Sequence, residues 1–190
     1  MKSKKPRTPS PEAETQKNEA KKIVAKTNKD QTDQKHTARE ISAGGVVILR
    51  ENDDWMLAVI EPQREPSAKP SAILALPKGL VDPGEKAEAA AIREVREETG
   101  LVAAPVAKLA DIKYVYVRTW GDGARVFKIV SFYLLKYASG VIGDISEDMR
   151  IEVKHALWIR LQDAEKSLSY RGEKDVVRRA LEYLKLHPEV

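Results

Sequence analysis

The chain has 190 residues, no cysteine, and 33 Lys and Arg against 29 Asp and Glu, a formal net charge of +4. Without cysteine there is no disulfide framework, no thiolate nucleophile and no Cys-based zinc site. No apolar run approaches the ~20 residues that span a bilayer, and the basic start lacks the apolar stretch of a secretory signal, so the expectation is a cytoplasmic protein with no membrane partner.

The charge is unevenly distributed. Residues 1–38 hold ten Lys and Arg and five acids, a net of +5, which leaves −1 for the remainder. This segment is dominated by Lys, Glu, Gln, Thr and Pro, and Ile23 and Val24 are its one apolar pair. It cannot bury enough surface to offset its ordering entropy, so it reads as a disordered basic tail ahead of a folded domain over 39–190. It is either an arm that concentrates polyanions, nucleic acid among them, or a solubilising leader.

From Arg39 the pattern changes. "EISAGGVVILRE" and "WMLAVIEP" read as two strands of a hairpin joined at "NDD", with Gly44 and Gly45 marking a bulge or a close backbone approach. A Pro-rich loop, "QREPSAKPS", leads to a third short strand, "AILALP", and then to a loop, "KGLVDPGE". A helix is expected from about Lys86 to Thr99, with Ala87, Ala91, Ile92 and Val95 as its apolar stripe and Gly100 just past its end. Two long strands follow near Val106–Arg118 and Arg125–Tyr137, separated by "TWGDGA". "IEVKHALWIRL" reads as the last strand and "LQDAEKSL" as a short helix. Arg171–His187 reads as a closing amphipathic helix with Val176, Val177, Ala180, Leu181 and Leu184 inward. The sum is an α/β protein with a sheet core and helices on its faces.

The chemistry concentrates in "GLVDPGEKAEAAAIREVREETGL", Gly79–Leu101. On the helix, Glu94, Glu97 and Glu98 stand at i, i+3 and i+4 and share a face, and Arg93 is placed to brace Glu97. Three carboxylates in one patch offer the hard oxygen ligands that Mg²⁺ or Mn²⁺ prefers, and such an ion assists attack of water on a phosphate or pyrophosphate. In the loop, Gly79 and Gly84 permit close backbone approach or positive φ. Lys78 adds a point charge there, and Glu85 is placed to meet the early helix N–H groups or an arginine.

This stretch resembles the signature of the Nudix hydrolase family. Gly79, Glu85, Arg93, Glu94, Val95, Glu97, Glu98, Gly100 and Leu101 occupy every specified place of it. "SAGGVVI", "LALPKG" and "HALWIRLQDA" resemble the family's flanking strands, so the likeness covers about Arg39 to His187. It implies an α/β/α sandwich around a mixed sheet and Mg²⁺-dependent hydrolysis of a nucleoside diphosphate linked to another group. It further implies that Glu97 and Glu98 bind metal, that Glu94 binds metal or acts as base, that Arg93 orients the carboxylates, and that Gly79 offers its carbonyl to the metal.

Relatives use a further acid before the last strand. Among Glu147, Asp148 and Glu152, the spacing of Glu152 to Trp158 resembles the family's usual base or ligand. Lys128, on a strand face with Val130 and Phe132, either reaches a phosphate or caps a sheet edge. Tyr114, Tyr116, Trp120 and Tyr133 either stack a base or fill the core. Arg39 and Arg64 are either phosphate contacts or solvent charges. His155 and His187 read as surface or packing residues, and His36 falls in the tail. "LPKG" resembles the branch acting on dinucleoside polyphosphates and diphosphoinositol polyphosphates. A dinucleoside polyphosphate such as diadenosine tetraphosphate is therefore the first expectation. A nucleoside triphosphate, ordinary or oxidised, comes next, and a catalytically silent nucleotide- or RNA-binding module is the rival class.

Overall fold

A computed structural model describes residues 38–63, 73–118 and 123–190. The basic segment before Ala38, Arg64 and Trp120 lie outside the described residues. Arg39–Tyr116 and Val126–Val190 form one compact unit. Val117, Arg118 and residues 123–125 belong to a second, in which Arg118 N–H donates to Ala124 O at 2.9 Å.

Strands β1 (Ala38–Glu51) and β2 (Asp54–Pro62) form the expected antiparallel hairpin, with Ile48 opposite Leu57 and Glu51 opposite Asp54. Asn52 takes positive φ, 53°, in the two-residue turn, a conformation its short polar side chain tolerates. The third strand is not "AILALP". It is β3 (Lys78–Leu80), paired antiparallel to β1 with Ala43 opposite Gly79. Leu74 and Ala75 make only isolated bridges, to Leu168 and Ile60. The apolar run packs into the core, while the "KGL" segment finds the free edge of β1.

Helix α1 (Ala87–Thr99) follows, ended by Gly100 at φ 78°. A Cβ there would meet Asp144 O at 2.5 Å, so both conformation and space call for glycine. Strands β4 (Leu101–Val117) and β5 (Arg125–Gly140) are longer than expected at the ends facing Gly100 and Gly140. Strand β6 (Val153–Arg160) is preceded by a 3₁₀ turn at Met149–Ile151, where a strand was expected to have begun. A 3₁₀ turn, Leu161–Asp163, leads to the short α2 (Ala164–Ser167) and then α3 (Arg171–Leu186).

The strands form one mixed six-stranded sheet in the order β4-β5-β1-β2-β6, with β3 on β1. Alternation along the strands sorts the core into two layers. Val46 and Ile48, Leu57 and Val59, and Val130, Phe132 and Leu134 face α3 with Val176, Val177, Ala180 and Leu184. Ala43 and Val47, Ala58, and Tyr133 and Leu135 face α1 with Ala90, Ala91 and Val95. Each fully buried Leu, Ile, Val or Phe contributes about 2 kcal/mol relative to an exposed one. Gly45 lets α1 approach, since a Cβ there would lie 2.4 Å from Val95 Cγ2. The result is an α/β/α sandwich.

Candidate functional site

Helix α1 buries more than the stripe its apolar residues suggest: Ala91 and Val95 are buried and Ala87 and Ile92 pack against the same core. Ala87 and Ile92 are only half-buried, while Ala90, Ala91, Glu94, Val95, Glu98 and Thr99 are buried. The helix therefore turns two of its carboxylates inward, against β3. Glu94 and Glu98 are 8% and 7% exposed, whereas Glu97 faces outward.

Each buried acid has a built partner. Glu98 Oε2 accepts the backbone N–H of Lys78 at 2.8 Å. The Glu94 carboxylate lies against Gly79, where a Cβ would come within 2.1 Å of Oε2. Gly79 thus serves by lacking a side chain; its φ is not positive, unlike that of Gly84 at 84°.

Arg93 ties the acids together. Its guanidinium donates to Glu85 Oε1 and Oε2 at 3.1 and 2.9 Å, to Glu94 Oε1 at 2.8 Å, to Glu97 Oε2 at 3.0 Å and to Leu80 O at 2.9 Å. A planar fork suits this many acceptors. The Arg93 bonds hold the Glu85 carboxyl below its ordinary range, and the guanidinium is firmly charged. Burial pushes Glu98 up to about 8, only partly opposed by the Lys78 charge and N–H. Burial likewise raises Glu94, with Arg93 pulling the other way.

Glu152 is exposed at the end of the 3₁₀ turn before β6, and its charge adds a minor upward push to both Glu94 and Glu98. Glu147 instead pairs with Arg150 at 3.5 Å, and both it and Asp148 are exposed. An open groove of about 560 Å³ runs beside this cluster, lined in part by Ile92, Arg93, Arg96, Glu97 and Ser146.

The other expected site residues are scattered. Lys78 Nζ lies 3.7 Å from Glu173 Oε1. Lys128 is on the α3 face of β5 and pairs with Glu40 at 3.6 Å. Tyr133 is on the opposite face, buried in the α1-side core. Arg39 is exposed, its guanidinium 6.0 Å from the Phe127 ring centroid. Tyr116 donates to Glu40 at 3.0 Å. His155 faces outward opposite Glu61, and His187 stacks on Tyr183 at 4.0 Å. No local sequence signal marks Glu173, a buried acid on α3 that accepts the Leu76 N–H at 2.9 Å.

Among the described residues, no three Asp, Glu or His side chains come together closely enough to hold a metal ion by themselves. The donor chemistry nonetheless fits a hard divalent cation. Glu94, Glu97 and Glu98 each use one oxygen on a protein donor and keep another, and two of the three are desolvated acids that a cation would favour as carboxylates. An open arrangement also suits Mg²⁺, which keeps water and shares phosphate ligands.

A sandwich of this topology, with a glycine loop leading to an Arg–Glu helix, is of the Nudix class. The sequence matches the NUDIX domain over residues 39–180, and the chain belongs to that family. It is 36% identical over 140 residues to a Mycobacterium tuberculosis protein named mutator protein MutT4, covering 73% of this chain and 53% of that one. It is 42% identical over 64 residues to a Bacillus subtilis protein named 8-oxo-dGTP diphosphatase, covering 34% of this chain and 38% of that one. The chain thus spans about half, or less, of the length of these curated relatives. Its fold is shared with a Caenorhabditis elegans Ap4A hydrolase solved as a binary complex, at a TM-score of 0.54 and 22% identity over 77% of this chain and 98% of that one. No helix of the described residues is long and apolar enough to cross a membrane.

Proposed function

We propose that the protein is a metal-dependent hydrolase that cleaves a phosphoanhydride bond in a nucleoside diphosphate-linked compound, with a dinucleoside polyphosphate such as diadenosine tetraphosphate as the first-choice substrate. The observation that supports it best is the Arg93 hub, which organises Glu85, Glu94 and Glu97 beside the buried Glu98 and the Gly79 strand. Glu94, Glu97 and Glu98, with the Gly79 carbonyl, would hold Mg²⁺ or Mn²⁺. When bound, the ion supplies Lewis acidity toward phosphate oxygens.

The chain's own residues do the rest. Arg93 fixes the carboxylates in place, which keeps the reorganisation needed at the moment of reaction small. Water attacks phosphorus, the bridging P–O bond breaks, and the released proton passes to a carboxylate. Glu152 and Glu94 are the candidates for that acceptor. Lys78 contributes a cation toward the polyphosphate; Lys128, held by Glu40 on the α3 face, and the exposed Arg39 would reach only groups that extend away from the acids. Tyr133 packs in the core and would support the site from beneath.

A second substrate reading is a nucleoside triphosphate, ordinary or oxidised. The identity to proteins named for mutator and 8-oxo-dGTP diphosphatase roles favours it. A panel of diadenosine tetraphosphate, 8-oxo-dGTP and dGTP, with Mg²⁺ and with EDTA, tests both. Hydrolysis is expected, and EDTA is expected to abolish it. Saturable binding without product would make this a silent nucleotide-binding module instead.

A further inference from the structure

Glu173 sits in the first turn of α3 and is only 1% exposed. A carboxylate in such a place destabilises the fold unless it is paired. Its Oε2 accepts from Leu76 N–H at 2.9 Å, a full hydrogen bond. Its Oε1 lies 3.7 Å from Lys78 Nζ, and the ammonium's other contact is Leu76 O at 3.5 Å. Both distances exceed a well-made hydrogen bond, so the ammonium is held loosely. On the other side, Lys78 N–H donates to Glu98 Oε2 at 2.8 Å. Lys78 thus stands between two buried carboxylates, its backbone serving one and its ammonium the other.

We propose that Glu173 sets the affinity of the site for polyphosphate by competing with the substrate for the Lys78 ammonium. The inference rests on the reading of Lys78 as a phosphate ligand. When the ammonium turns to a phosphate oxygen, Glu173 is left without its cation in a dry setting, and that cost opposes binding. Glu173 acts only through Lys78 and touches no substrate. If it merely pinned the Leu76 N–H, an amide oxygen in its place would do the same work and affinity would not change.

The test is a two-residue cycle on the full chain, using the panel polyphosphate that is turned over fastest, at saturating Mg²⁺. Glu173→Gln keeps the size and an acceptor for Leu76 N–H but removes the charge. KM is expected to fall about three- to tenfold while kcat moves much less, and the same substitution in a Lys78→Met background is expected to leave KM unchanged. An unchanged or raised KM in Glu173→Gln, or an equal fall in the Lys78→Met background, overturns the proposal. A second measurement uses the unmodified protein. In ¹³C-lysine NMR with tripolyphosphate, the Lys78 side-chain signal, identified by its loss in Lys78→Met, is expected to shift on binding; an unmoved signal overturns the proposal even if Glu173→Gln does not fold. Absence of turnover of any polyphosphate would defeat the functional reading, whereas turnover with a KM indifferent to Glu173 would defeat this inference alone.

Discussion

The carboxylate of Glu94 fills the space that a β-carbon at Gly79 would need: a Cβ built there lies 2.1 to 2.3 Å from Oε2, Cδ and Oε1. The obstacle is the end of a flexible side chain, so Gly79→Ala should displace Glu94 rather than unfold the protein. A displacement of this size is expected to lower kcat on the order of 100-fold with little change in Tm. Gly44→Ala makes the contrast, because its Cβ would strike Pro77 O at 2.5 Å and Lys78 Cβ at 2.6 Å. It should cost about 1–3 kcal/mol of stability. Thermal melts and initial rates on both variants separate the two effects.

Arg93→Lys keeps a positive charge and loses the fork. One ammonium cannot reach the acceptors on Glu85, Glu94, Glu97 and Leu80 together. The expected result is a kcat lowered about 100-fold with KM changed much less, since the guanidinium positions carboxylates rather than substrate. Near-normal kcat in the lysine variant would show that charge alone suffices.

Glu152 and Glu147 are near neighbours that the structure separates. Glu152 lies close enough for its charge to push up Glu94 and Glu98, while Glu147 pairs with Arg150 in solvent. Glu152→Gln is therefore expected to lower kcat by roughly 10²–10⁴, the range for a general base. Glu147→Gln should leave kcat within about twofold. Equal effects would undo the assignment.

The metal-free protein should lose stability as pH rises. Burial raises the Glu98 carboxyl from 4.5 to about 8, so between those values the folded state holds a proton that the unfolded chain releases. Stability is full below 4.5, falls through the window and levels off above about 8. Glu94 and Glu173 are raised by burial too and act in the same direction. In EDTA, Glu98→Gln should make the fall in Tm from pH 5 to 8.5 shallower, and Mg²⁺ should raise the wild-type Tm most at the upper end. An identical slope in wild type and variant would contradict the assigned burial.

The legible parts of this protein were contiguous. The helix over Ala87–Thr99, its Gly100 stop and the acids on it lie within a single stretch, and the strand–helix order follows from periodicity. The illegible parts join distant residues. Glu173 meets the Leu76 N–H across 97 positions, and nothing near Glu173 marks it as buried. "AILALP" has the composition of a strand, yet pairing depends on which segment reaches the edge of β1, and that is Lys78–Leu80. The apolar stripe of the helix does face the core, but apolarity alone does not reveal the two acids buried beside it. Glu94 and Glu98 go inward, to Gly79 and the Lys78 N–H, and Ile92 is left half-buried at the groove.

The central claim is that the acids of α1 hold a divalent cation against a polyphosphate. The most direct test is an electron-paramagnetic-resonance titration of Mn²⁺ into wild type and into a Glu97→Gln, Glu98→Gln variant, with circular dichroism to confirm folding. The account predicts a saturable Mn²⁺ site in the wild type, tightened by a polyphosphate and weakened at least tenfold in the folded variant. Equal Mn²⁺ binding by the two proteins, or none by either with polyphosphate present, would contradict it.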